Sequence, residues 1–328
     1  MTPLFLPMLV NDPFGDPAVF MQVRHEKMAV LFDLGDLSQL PIKKLLKVTH
    51  IFVSHCHIDH FIGFDHLLRC VLGRQKKLHL FGPPGIIGHV HGKLAGYTWN
   101  LVSDYPLSLT VTEIHLDQRL QTTTFFCRNG FALQPLHETR LLDDTILTLP
   151  QFSLKAVILD HKIPCAAYRL QEPFHINFRS DVLDREQWPR GSWLTEVRKA
   201  IRDGLPEGTC FTVCGRSFML GELTRRLAII TPGQAVGYIT DIAASQANLE
   251  RAAALIDGCD RLFCEAAFLA DDEKKADLTC HLTAAQAGRL ACLAKVKKLI
   301  LFHFSPKNHA RQGDYYREAG TEFAGPIA

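Results

Sequence analysis

Short apolar runs recur along the chain and read as buried strands: Met28 to Phe32, His50 to Ser54, Lys77 to Phe81, Ser108 to Ile114, Phe152 to Leu159, Ala166 to Leu170, Ala235 to Thr240, Arg261 to Cys264 and Lys298 to Phe302. Between some of them the apolar positions take a helical spacing, over Asp59 to Leu72, Gln246 to Ile256 and Thr283 to Leu293. Thr283 and Gln286 stand at the spacing of a capping box, which predicts a helix start there. The strands end in residues from a small chemical set: Asp33 and Asp36 after VLF, histidines after IFVS, Asp241 after GYIT, Glu265 after LFC and His303 after LILF. Two halves, each an apolar sheet ending in metal-ligand residue types, predict two sheets covered by helices, with the site where strand ends meet.

Composition narrows the class. The 328 residues carry no linker, repeat or low-complexity tract, which predicts one domain over 1–328, with an insertion or substrate-facing segment at about 172–216. A hydrophobic content of 47% and a charged content of 21% exclude a disordered, collagen-like or coiled-coil chain. The longest uncharged apolar stretch, Leu227 to Thr240, is broken by Pro232, Gly233 and Gly237 and falls short of the ~18 residues of a membrane span, so no membrane partner is expected. The N-terminus lacks a basic region and is interrupted by Pro3 and Pro7, unlike a secretory signal. Ten cysteines without a Cys-x-x-Cys pair or framework spacing suit a reducing, cytoplasmic location. Lysines and arginines number 36 against 34 acidic residues, so the chain as a whole does not attract polyanions.

The sharpest local signal is SHCHIDHF, directly after an apolar strand and before a helical stretch. In extended chain His55 and His57 project to one side and reach one cation together, while Asp59 and His60 follow the turn toward a second position. Cys56, between the ligands, points away and packs. His66, on the following helix, is a candidate supporting partner.

Here the sequence resembles the metallo-β-lactamase superfamily, and within it the ribonuclease Z branch of tRNA 3′-processing endoribonucleases. His161 in LDHKIPCAAYRL, Asp241 in YITD, Glu265 in CEAAF, His281 in HLTAAQAG and His303 in LFHFSPK follow His-x-His-x-Asp-His in that family's order. The resemblance implies an α/β fold, a four-layer αββα metallo-β-lactamase-type sandwich. It further implies two divalent metal ions, one held by His55, His57 and His161, the other by Asp59, His60 and His303, with Asp241 bridging. Zn²⁺ suits the imidazole-rich set best, and Mn²⁺ or Fe also fits. His137, in LQPLHETR, competes for the His161 position but lacks the Pro and Tyr that follow His161.

In the implied chemistry Asp59 orients or deprotonates the attacking water, His281 donates a proton to the leaving oxygen, and Glu265 supports His281. The expected partners are a phosphodiester substrate, RNA or tRNA, and a second copy in a homodimer. The chain departs from the branch in two places. DLGDLSQL replaces a Gly-Glu-Gly-Thr-Gln-like turn, and 175–204 has mixed charge rather than a basic Gly/Pro-rich arm. Basic clusters at 43–47, at 74–77 and at Arg225 and Arg226 read as solvated faces ahead of a nucleic-acid track. The reading therefore expects phosphodiester cleavage with weak or absent processing of precursor tRNA. Thioester, lactone or lactam hydrolysis at the same site is the alternative enzyme reading, and a metal-bound scaffold without hydrolysis the reading from another class.

Overall fold

The computed structural model describes residues 3–328. An eight-stranded sheet comes first, its strands lying in chain order: β1 (Phe5–Leu9), β2 (Val19–Val23), β3 (Ala29–Phe32), β4 (Val48–Phe52), β5 (Lys77–Gly82), β6 (Ser108–Ile114), β7 (Arg119–Phe126) and β8 (His137–Arg140). The four strands β3 to β6 run parallel, and hairpins add antiparallel strands at both edges. The parallel crossovers carry helices α1 (Ile42–Leu45), α2 (Ile58–Phe61), α3 (Phe64–Val71) and α4 (Ile86–Ala95).

The second sheet starts with β9 (Thr145–Thr148), β10 (Ser153–Asp160) and β11 (Pro164–Gln171). The chain then leaves the sandwich for an excursion of β12 (Phe174–Phe178), α5 (Ser180–Arg185), α6 (Ser192–Arg202), β13 (Cys210–Val213), β14 (Arg216–Met219), α7 (Leu220–Leu227) and β15 (Ala228–Pro232). It returns as β16 (Ala235–Ile239), α8 (Gln246–Ile256), β17 (Arg261–Glu265), α9 (Glu273–Thr279), α10 (Ala284–Leu293), β18 (Leu299–Phe302) and α11 (Gln312–Glu322). The sheet order is β18-β17-β16-β11-β10-β9.

Period-two patterning assigns each face of each strand. On β10 and β11, Leu154, Ala156, Ile158, Ala166, Tyr168 and Leu170 face the core between the sheets, where Val19, Met21, Phe32 and Phe52 meet them. The other face of the first sheet packs on α3 and α4 through residues such as Phe20, Leu31, Leu67 and Val90. The other face of the second packs on α8, α10 and α11 through Ile239, Ala252, Leu290 and Tyr315. These three cores define four layers, αββα.

Two boundaries differ from the sequence reading. The helix expected over Asp59 to Leu72 is split at Gly63, whose N–H donates to the Leu34 carbonyl at 2.8 Å and where a Cβ would collide with the Gly35 carbonyl oxygen. The break lets the loop after β3 lie against the helix start. The excursion expected to end at about 216 extends to Pro232, because β15 pairs with β12 and α7 contributes Leu220, Leu223 and Leu227 to the excursion's own core with Val182, Leu183 and Val197. The capping box at Thr283 and Gln286 is formed in both directions, 3.2 and 2.8 Å.

Candidate metal centre and active site

One end of the sandwich collects the chemistry. Strands β3, β4, β16, β17 and β18 deliver Asp33, His55 and His57, Asp241, Glu265 and His303 at or just beyond their C-terminal ends, and the β10–β11 turn delivers His161. Asp33, Asp241 and His303 leave their strands with left-handed backbones, φ 54°, 49° and 63°, as do Lys162 and Cys280 beside them at 60° and 59°. Non-glycine residues held there are strained, and such strain concentrates at functional sites.

Asp241 sits at the centre. Its Oδ2 lies 3.3 Å from His60 Nε2, 3.6 Å from His55 Nε2 and 3.7 Å from His161 Nε2, and its Oδ1 lies 3.1 Å from His303 Nδ1. Asp59 Oδ2 reaches His303 Nε2 at 3.1 Å and His60 Nε2 at 3.5 Å. Ligand-type atoms of His55, His57, His161 and Asp241 lie within 4.8 Å of one another, and so do those of Asp59, His60 and His303. The residues singled out in the sequence are thus brought to one place.

The donor set fits cations. His60 donates Nδ1–H to Asp33 Oδ2 at 2.8 Å and His161 donates Nδ1–H to the Cys280 carbonyl at 2.8 Å, which turns both Nε2 atoms toward the cluster. His55 Nε2 and His60 Nε2 are buried without a hydrogen bond of acceptable geometry. Burial, with His60 next, pushes the His55 pKa down to about 2, so its ring stays neutral and available as a ligand. Burial disfavours charge on Asp241, but His303 and His60 outweigh it and hold its carboxyl well below the usual carboxylate range. Reciprocally, burial acts to lower His303, yet Asp241 and then Asp59 raise it to about 10. The carboxylates thus recruit positive charge to this pocket, and a divalent cation meets the same demand.

Glu265 is fully buried, accepts from the Ile242 N–H at 2.8 Å and accepts His281 Nδ1–H at 2.7 Å. His281 Nδ1 is also 3.9 Å from Asp241 Oδ1, and its side chain retains 17% exposure. Burial works to lower its pKa, but Glu265 foremost and Asp241 after it raise it above the ordinary imidazole value. Three other placements resolve open points. His137 is exposed on the edge strand β8, opposite Thr122, and takes no part in the cluster. His66 is exposed on α3 rather than behind the ligands. Cys56 packs against the core under α3.

The support missed in the sequence is Asp33. Its buried carboxylate accepts four hydrogen bonds, from Ser54 N, Ser54 Oγ, His60 Nδ1 and Tyr238 Oη, at 2.6 to 2.8 Å. The signal was a carboxylate at the end of an apolar strand; its partner Asp36 instead caps a surface turn at Ser38.

The fold and this strand-end site define a metallo-β-lactamase fold protein. Among solved structures, the metallo-β-lactamase fold protein YhfI of Bacillus subtilis matches 98% of the chain with a TM-score of 0.56 at 15% identity, over 94% of its own length. The short form of human tRNase Z matches 93% of both chains, with a TM-score of 0.54 at 18% identity. No family model matches the chain. Ribonuclease Z of Deinococcus radiodurans is 29% identical over 316 residues, 95% of this chain and 91% of the relative. Ribonuclease Z of Lactobacillus helveticus is 30% identical over 285 residues, 84% of this chain and 77% of the relative. The chain belongs to the ribonuclease Z family. Among the described residues, no helix is long and apolar enough to cross a membrane.

Proposed function

We propose that the chain is a metal-dependent endoribonuclease that cuts phosphodiester bonds at a dinuclear centre. His55, His57 and His161 would hold one divalent ion, Asp59, His60 and His303 the other, with Asp241 between them. The observation that carries this reading is Asp241, central to the cluster, whose Oδ2 faces His55, His60 and His161 and whose Oδ1 faces His303, so that it touches imidazoles of both proposed ligand sets, with the His281–Glu265 pair beside Oδ1. Two bound divalent ions, Zn²⁺ best suited to the set, would supply an activated water and offset charge on the phosphoryl oxygens.

The remaining work falls to side chains. Asp59, half-exposed and bonded to His303, orients the attacking water and accepts its proton. His281, its Nδ1–H fixed on Glu265, delivers the proton that the departing sugar oxygen needs from Nε2. Relatives named ribonuclease Z that match nearly the full chain support RNA as the substrate class, and the cysteine usage suits a cytoplasmic location. The excursion at 174–232 branches from the ends of β11 and β16 remote from the cluster, so a substrate-facing role would engage parts of a long RNA away from the cut bond. The same reading extends to a homodimer, which sedimentation would test.

Metal analysis of the purified chain, followed by assays on bis(p-nitrophenyl) phosphate, a 3′-extended precursor tRNA and a thioester, tests the proposal. Two ions per chain with internal cleavage of RNA is the expected result. Turnover of the thioester alone, or cleavage that survives complete metal removal, overturns it.

A further inference from the structure

A second polar cavity lies at the other end of the sandwich. β11 runs from the His161 turn to Gln171, roughly 25 Å at about 3.3 Å per residue, and beyond it the excursion folds back on the β2–β3 turn. Between them is a cavity of about 510 Å³, within the usual range for small-molecule sites. Four arginines line it, Arg24 from the β2–β3 turn and Arg190, Arg198 and Arg202 from the excursion, and among the described residues no carboxylate does. Arg198 and Arg202 stand one helical turn apart on α6, so both reach the same side.

The charges there are only partly matched. Glu172, buried behind the wall, takes Arg202 at 3.4 Å and the His175 Nδ1–H at 2.9 Å, and Asp184 takes Arg190 at 2.6 Å. Among the described residues Arg24 and Arg198 have no carboxylate partner; Arg198 gives one N–H to the Ile176 carbonyl and rests on the Phe178 ring. Arg202 Nε, Asn177 Nδ2 and His175 Nε2 are buried without hydrogen-bond partners among the described residues. The field is strong enough to show on its neighbours. His25, depressed first by burial and then by Arg198, Arg24 and Arg202, falls to about 4. Burial, followed by Arg202 and Arg24, depresses Arg198 as well.

Unsatisfied buried donors are costly, and guanidinium forks match oxyanions in geometry as well as charge. The free N–H groups of Arg24, Arg198, Arg202 and Asn177 outnumber what the two oxygens of one carboxylate accommodate, whereas a phosphate group offers three or four. With Nδ1 of His175 committed to Glu172, its unpartnered Nε2 remains for a polar group of the ligand. We propose that this pocket binds the phosphate group of a small phosphorylated ligand of nucleotide size, at a site separate from the strand-end cluster. This inference stands independently of the proposed reaction.

Equilibrium binding of inorganic phosphate, 5′-AMP and adenosine to the metal-loaded full chain tests it, with His55→Ala removing any contribution from the strand-end cluster. Wild type and His55→Ala should share one 5′-AMP site that adenosine does not fill. Arg24→Glu, on a partly exposed turn, and Arg198→Ala should each weaken that site at least tenfold, with the thermal unfolding midpoint of Arg24→Glu unchanged. Displacement of 5′-AMP by inorganic phosphate of similar affinity would identify free phosphate as the ligand; much tighter 5′-AMP would identify a nucleotide. Loss of all phosphate binding in His55→Ala overturns the proposal, as does adenosine binding equal to 5′-AMP or wild-type affinity in Arg24→Glu. Arg24-dependent binding of a short RNA without 5′-AMP binding overturns it in favour of a polynucleotide surface.

Discussion

The two ends of the sandwich contain the same dyad in opposite surroundings. At the strand-end cluster His281 donates to fully buried Glu265 at 2.7 Å; at the far end His175 donates to fully buried Glu172 at 2.9 Å. Around the first stand Asp241, Asp59 and four further imidazoles, His55, His60, His161 and His303. Around the second stand guanidinium groups. An imidazole–carboxylate pair is therefore no signature of a reaction by itself. The charge facing it decides whether the site draws cations, and with them water activation, or an anion.

The largest effect expected is at the first dyad. His281→Ala should keep its metal content while kcat on RNA falls by ~10²–10⁴, the usual worth of a general acid. The loss should shrink for p-nitrophenyl esters, whose leaving group needs no proton; metal loss, or an equal fall on both substrates, would remove His281 from the chemical step. At the second dyad the cost should appear in stability. Glu172→Gln leaves buried Arg202 without its carboxylate, so denaturant unfolding should report about 3 kcal/mol of destabilisation, near the lower end for a broken buried pair. An unchanged unfolding free energy would show that Arg202 is solvated instead.

Asp33→Asn probes what holds the cation end in place. It keeps the volume but weakens the acceptor for His60 Nδ1–H, and metal affinity in a competition titration should drop ~10–100-fold. Retained affinity would mean that the other ligands fix His60 without it. The smallest effect belongs to the helix that follows His281: Thr283→Ala removes the cap of α10 and should cost about 1 kcal/mol, with metal content unchanged. A loss of activity beyond that stability change would show that the cap also positions His281.

Legibility in the sequence followed locality. The cation end was readable because SHCHIDHF concentrates four ligand-type residues in six positions, and because each remaining partner ends an apolar strand. Asp33 was visible as a residue but not as a hub, since its donors Ser54, His60 and Tyr238 come from separate segments. Thr-rich β7 and Pro7-bearing β1 lacked a continuous apolar run, so both edge regions went unread. β8, wholly exposed, has no buried face to pattern.

Charge shows the same limit more sharply. The stretch 175–204 holds six basic and five acidic residues, which reads as neutral. Folding turns Arg198 and Arg202 toward one cavity with Arg24 from a distant turn and exposed Arg190 at its rim, while Asp181, Glu196 and Asp203 line no part of it. The amino-acid order by itself determined the layered α/β class, the strand cores and the candidate ligands, because side-chain periodicity and closely spaced donors act over a few residues. Which carboxylate stands at the centre of the imidazoles, and where uncompensated guanidinium charge collects, was decided only by tertiary packing, since Coulomb interactions and desolvation depend on distance through space rather than along the chain.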